Sequence, residues 1–189
     1  MEAQMASFGE RVVGAMKLDA NTFEDVERDP TAMGQAVGVV VLSAVAAGIG
    51  TIYAGGISGI LLAAVFSVIG YAVWAIIVWL VGTKVMPEPA TKADFPETFR
   101  VLGFAAAPGL LNVLQIIGII PLIGWLIALC ISFLLTLWMI AAMVVAVRQV
   151  LDYSSTGKAV VVVIIGFIAY LIMWALVMVP LVGARMMMG

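Results

Sequence analysis

Residues 101–147 read VLGFAAAPGLLNVLQIIGIIPLIGWLIALCISFLLTLWMIAAMVVAV, 47 positions without a charged side chain. A helix crossing the hydrocarbon core needs about 20 apolar residues, with a range of roughly 17–25. The stretch therefore holds two spans, with Gly118-Ile119-Ile120-Pro121 as the tight turn between them. The same arithmetic works outward along the chain. Residues 30–83 give 54 uncharged positions and two more spans, joined at Tyr53-Ala54-Gly55-Gly56, and residues 159–184 give 26 positions and one span. The fold class is all-α: a polytopic membrane protein with a five-transmembrane-helix bundle. Its spans fall at about 30–52, 57–82, 95–118, 121–150 and 157–180. The apolar runs do not alternate every second residue, which argues against barrel strands.

Composition agrees. Of 189 residues 65% are apolar and 11% charged, where a soluble domain runs nearer about 45–50% and 25%. Mean hydropathy is +1.22. The net charge of −2 excludes a nucleic-acid binder, and there is no His and a single Cys, Cys130. Disulfide frameworks, imidazole metal sites and His-based catalysis are excluded on that inventory. No cofactor and no metal are expected. Cys130, centred in the fourth span without charged neighbours, reads as a buried packing residue.

Helix starts carry caps. Asp29-Pro30 places an N-cap before a proline at the first helical position. Asp94-Phe95-Pro96-Glu97 has capping-box spacing, and Asn21-Thr22-Phe23-Glu24 suggests a short helix before the first span. Lys and Arg orient the chain. Arg11, Lys17, Arg28, Lys84, Lys92, Arg100, Arg148 and Lys158 fall on one side and Arg185 alone on the other. The positive-inside rule then puts the N-terminus in the cytoplasm and the C-terminus outside. The expected location is a prokaryotic plasma or inner membrane.

Residues 1–20 read as an amphipathic interfacial helix, with Met5, Phe8, Val12, Ala15 and Met16 at helical spacing opposite Ser7, Glu10, Gly14 and Lys17. Glu2 and Glu10 interrupt any signal-peptide pattern. Residues 21–29 form an acidic cytoplasmic elbow, and 30–182 the five-helix domain. In the elbow Phe23, Glu24, Asp25, Glu27 and Asp29 are candidates for partner docking or for an internal latch against Arg100 and Arg148. Asp152 belongs to the same candidate set.

Chemistry is sparse inside the membrane. Buried charges there mark ion or proton paths, whereas Arg100 and Arg148 sit at helix ends and can snorkel. Ser155-Thr156-Gly157-Lys158 lacks the hydroxyl residue and upstream glycine of a phosphate loop. Gly56-Ile57-Ser58-Gly59 lacks the spacing of a nucleophile elbow. The chain reads as non-enzymatic. Pro108 should kink the third span and free the carbonyl of Phe104, and Asn112 and Gln115 follow nearly on one face. These three residues are candidates for a polar path or for interhelical glue. Gly34 with Gly38, Gly55 with Gly59, and Gly124-Ala128-Ser132-Thr136 have small-residue spacing for close helix packing. Trp74, Trp79, Trp125, Trp138 and Trp174 read mostly as interface anchors.

Three segments on the cytoplasmic side carry a resemblance. They are Phe23-Glu24-Asp25-Val26 to Asp29-Pro30, Phe99-Arg100-Val101-Leu102-Gly103-Phe104 to Pro108, and Arg148-Gln149-Val150-Leu151-Asp152-Tyr153-Ser154. In order and placement they resemble the Ypt/Rab-interacting protein (Yip domain) family in its compact prokaryotic form. The similarity spans most of residues 5–180 and includes the five-helix layout. The resemblance implies a membrane scaffold or accessory protein, since eukaryotic relatives bind prenylated small GTPases and shape membranes. A long cytoplasmic N-terminal region and an Asp-Leu-Tyr-Gly-Pro segment typical of those relatives are missing here, which weighs against small-GTPase binding. The expected partners are the lipid bilayer and protein partners in the membrane or on its cytoplasmic face, and one version makes the protein a subunit of a larger membrane complex. The alternative is a passive small-solute transporter or lipid-handling protein using the kinked third helix.

Overall fold

The computed structural model describes residues 6–50 and 52–188. Every regular element among them is helical. Two short helices, α1 (Phe8–Met16) and α2 (Ala20–Arg28), precede α3 (Met33–Gly50), α4 (Ile52–Leu80), α5 (Phe95–Ala105), α6 (Gly124–Val150) and α7 (Thr156–Met188). Among the described residues five segments are long and apolar enough to span a membrane: Pro30–Gly50, Ala64–Val85, Phe95–Ile119, Gly124–Val150 and Thr156–Met173. The chain is an all-α integral membrane protein.

Local sequence explains the helix starts. Ser7 and Glu10 close a capping box on α1, and Asp94 and Glu97 close another on α5. Asp19 caps α2, and the carboxylate of Asp29 accepts from the Thr31 amide at the start of the first span. Leu18, with φ 61°, turns the chain between α1 and α2.

The chain doubles back between Gly48 and Ile60, whose side chain would come within 2.8 Å of a Cβ on Gly48. Within that stretch the described part of α4 begins at Ile52. The second hairpin turns a few residues later than expected, through Pro121–Ile123 with Leu122 at φ 70°.

The third span changes character midway. Its α-helical part ends at Ala105 and continues as a 3₁₀ helix from Ala107 to Ile119. Such a long 3₁₀ run is uncommon. Pro108 cannot donate a backbone hydrogen bond, and the chain tightens around it, with Gly109 N donating to Ala106 O at 2.8 Å. The expectation was a freed Phe104 carbonyl; the carbonyl that takes a side-chain donor here is that of Ala106. Ser43 Oγ donates to it at 2.9 Å.

The third span is the bundle's centre. From Thr98 to Gly109 every residue is buried, and α5 packs against α2, α3, α4 and α6. Small side chains dominate this interior, including Ala36, Ala75, Ala105, Ala106, Ala107, Ala142 and Ala146. Lipid is as apolar as leucine, so close backbone approach rather than hydrophobicity decides which faces meet. Many large apolar side chains point outward instead, as at Phe133, Leu134 and Phe167. Cys130 is exposed on that outward surface, not buried.

The small-residue seam differs from the predicted one. A Cβ on Gly34 or Gly38 would meet open space. On α3 the tight face is instead Ala36, Ser43 and Gly50, spaced by seven. A Cβ on Gly103 would come within 2.9 Å of Ala36 Cβ, and one on Gly109 within 3.0 Å of Ser43 Cβ. One on Gly50 would overlap the Asn112 carbonyl oxygen. On α6, Gly124 and Ala128 are buried while Thr136 is exposed.

Candidate functional site

The charged residues of α1, α2 and the two connections 86–94 and 151–155 gather at one end of the bundle. Three clasps organise this end, and each begins with a residue that cannot be left alone in a partly dry setting.

The first clasp centres on Arg11. Its side chain is 1% exposed, and its Nε donates to Asp25 Oδ2 at 2.7 Å. Nη2 lies 2.8 Å from Asp29 Oδ2, and Nη1 donates to Gln35 Oε1 at 3.1 Å. Asp29 is held below the usual carboxylate range, first by the Thr31 hydroxyl and then by Arg11. Burial opposes the charge on Arg11, but Asp25 and Asp29 together outweigh it and raise its pKa. α1 thereby lies against α2, α5 and the 3₁₀ segment, and Trp138 Nε1 ties its end by donating to Met16 O at 2.8 Å. The apolar face read from the sequence omits Arg11, the most buried side chain of α1 together with Ala15. Met5 lies outside the described residues.

The second clasp is Arg100, 5% exposed on α5. Its Nη2 donates to Glu27 O at 2.7 Å and its Nε to Val26 O at 3.4 Å. A guanidinium here satisfies the open carbonyls at the C-terminal end of α2 and complements the helix dipole. The predicted latch thus takes another form. Asp25 and Asp29 pair with Arg11, Arg100 takes backbone carbonyls, and Arg148 donates to Tyr153 O at 3.4 Å and Thr156 Oγ1 at 3.2 Å. Arg11 takes both carboxylates, while backbone carbonyls and a hydroxyl already occupy Arg100 and Arg148. Phe23 is fully buried with Val26, so it packs α2 onto the bundle and offers no docking surface.

The third clasp joins the two connections. Tyr153 Oη donates to Met86 O at 2.9 Å and lies 3.2 Å from Gly82 O, where α4 ends in the π-turn Val81–Val85. Glu88 pairs with Lys158 at 3.3 Å and accepts from the Ser154 amide at 3.0 Å. Thr91 Oγ1 donates to Leu151 O at 2.7 Å. Burial, then Glu88, pushes the Tyr153 phenol up to about 12.

Four acids remain around these clasps. Glu24 makes only an exposed 3.4 Å pair with Arg28, and Glu97 is spent on its capping box. Asp152 is exposed at φ 51°. Glu27 carries the consequence. Burial, then Asp152, Glu97 and Glu24, raise its carboxyl to about 7, with Arg28 only partly opposing.

Pro108, Asn112 and Gln115 form a separate group. Residues three apart eclipse in a 3₁₀ helix, so Gln115 Nε2 donates to Asn112 Oδ1 at 2.6 Å and Asn112 Nδ2 to Gly109 O at 2.8 Å. These bonds run along the span rather than between helices. Pro108 is buried. Arg11, Ser43 and Tyr153 are what sequence reading missed. An arginine recurring with apolar residues on one face of α1 was the one available signal.

Residues 16–176 match the Yip1 domain, covering most of the chain. The chain belongs to the Yip1 domain family. The match takes in α2, the buried third span and both charged connections, and so includes every clasp except the α1 side of the first. No curated protein matches the chain, and neither does any solved structure. Membership makes this a membrane protein of the Yip type, a class that fits membrane-associated protein partners.

Proposed function

We propose that the protein is a non-enzymatic scaffold or accessory subunit, engaging a basic partner segment through the charged end of its bundle. The supporting observation is the arrangement left once the clasps are made. Arg11, Arg100 and Arg148 are occupied, while Glu24, Glu27, Glu97 and Asp152 crowd together without a buried cation. Glu27, raised to about 7 by burial and its acidic neighbours, would be relieved by an incoming Lys or Arg. The clasps hold this surface rigid, so binding costs little ordering. The Lys and Arg bias supports placing this end in the cytoplasm, and the resemblance to the compact prokaryotic form supports a prokaryotic membrane.

A solute or lipid path along the third span has weaker support, because Ala107, Pro108 and Gly109 are buried and Asn112 and Gln115 bond to each other.

Purification from native membranes in mild detergent, with mass spectrometry of stoichiometric companions, tests the proposal. Glu24→Lys with Asp152→Lys should release a protein partner while Asn112→Leu with Gln115→Leu retains it. The reverse pattern overturns the scaffold reading. Orientation has its own test, in a Cys130→Ala background. Single cysteines at Gly56 and Gly118 should label from outside and one at Ala90 should not.

A further inference from the structure

Away from the charged end, α4, α6 and α7 enclose a groove of about 640 Å³, lined by Phe66, Tyr71 and Trp74, by Met139 and Met143, and by Phe167. Trp74 lies eleven residues before Val85, the end of its span, or about 16 Å at 1.5 Å per residue. In a core about 30 Å thick that is the bilayer midplane.

Two hydrogen-bonding groups in this groove lack partners. Tyr71 Oη and Trp74 Nε1 are both buried and unpaired among the described residues. Elsewhere the chain pairs such groups: Trp79 Nε1 donates to Ala93 O at 3.0 Å, Trp138 to Met16 O, and Tyr153 Oη has two carbonyls. Buried polar groups are nearly always satisfied, and apolar surroundings make an orphan costly. Trp74 is also held in place. A Cβ on Gly166 of α7 would come within 3.3 Å of its indole, and Tyr170 meets the ring edge-on at 6.2 Å between centroids.

These features define an occupant. An indole N–H only donates, so the ligand must bring an acceptor oxygen. No lining residue is charged, so the ligand is neutral. A resident glycerolipid carries its ester oxygens at the interface, about 15 Å away, and its acyl chains would leave both donors unpaired. Aromatic walls and two flexible thioethers suit a flat ring. We infer that this groove binds a neutral, membrane-soluble ring compound bearing carbonyl oxygens, of the quinone class, with those oxygens accepting from Tyr71 and Trp74. The inference is independent of the proposed role of the charged end.

The test is equilibrium binding of decylubiquinone to the full chain in phosphatidylcholine–phosphatidylglycerol nanodiscs. Saturable one-to-one binding is expected, abolished by Met143→Trp, which fills the groove. Tyr71→Phe and Trp74→Phe should each weaken it about tenfold, the loss of one buried hydrogen bond. Absence of saturable binding overturns the inference. So does unchanged affinity in both Phe variants, which would make this an acyl-chain groove. Should a variant misfold, a photoactivatable quinone on the wild-type chain decides: labelling confined to α4, α6 and α7 supports the site, and labelling elsewhere refutes it.

Discussion

Ser43 Oγ donates to Ala106 O at 2.9 Å across 63 residues of chain. The bond sits where the third span passes from α to 3₁₀ geometry, and it lies on the α3 face that also carries Ala36 and Gly50. One face of α3 thus follows the central span from Gly103 to Gln115, at the spacing that lets the two backbones nearly touch.

That seam sets the tolerance of each α3 glycine. Gly50→Ala places its methyl on the Asn112 carbonyl and should cost about 1–3 kcal/mol, as overpacking does. Gly34→Ala and Gly38→Ala meet open space and should stay within about 1 kcal/mol of wild type. Thermal unfolding in detergent separates the two classes.

Removing Arg11 leaves Asp29, 4% exposed, without its cation. Arg11→Ala should therefore destabilise by about 3–5 kcal/mol, the usual effect of breaking a buried pair. Adding Asp25→Asn and Asp29→Asn should recover part of that loss. Limited proteolysis near Lys17 should accelerate in the single variant, reporting α1 undocking.

Glu27 makes stability depend on pH. Its folded pKa of about 7 lies above the ordinary glutamate value of 4.5, so the folded state holds the proton more tightly. The stability linked to that proton is complete below about pH 4.5 and is lost as pH rises through about 7. Glu24 and Arg28 on α2, Glu97 on α5 and Asp152 in the last connection face this carboxyl. Glu27→Gln should accordingly raise the melting temperature at pH 8 and change it little at pH 4.5. An equal gain at both values would assign the effect to something other than ionisation.

Tyr153→Phe deletes the hydroxyl that holds Gly82 O and Met86 O. A loss of about 1–2 kcal/mol is expected. Faster amide exchange should appear in residues 86–94 and 151–155, and none in α3.

Uncharged runs and local caps determined by themselves that this chain crosses the membrane five times, and where several helices start. Both signals are local. A run of apolar residues must leave water, and Asp94 needs only Glu97 three residues on to close its capping box. The resemblance carried by Phe23–Pro30, Phe99–Pro108 and Arg148–Ser154 was legible for the same reason, as short stretches in a fixed order. Which face of each span turns inward was decided by tertiary structure alone. Lipid and protein interior are equally apolar, so nothing in the hydropathy of α3 separates Ala36, Ser43 and Gly50 from Gly34 and Gly38. The clasps are equally non-local: Arg11 reaches Asp25 and Gln35, and Arg100 reaches back 73 residues to the Glu27 carbonyl. A charge declares that it needs a partner. The packing of the helices determines which one it meets.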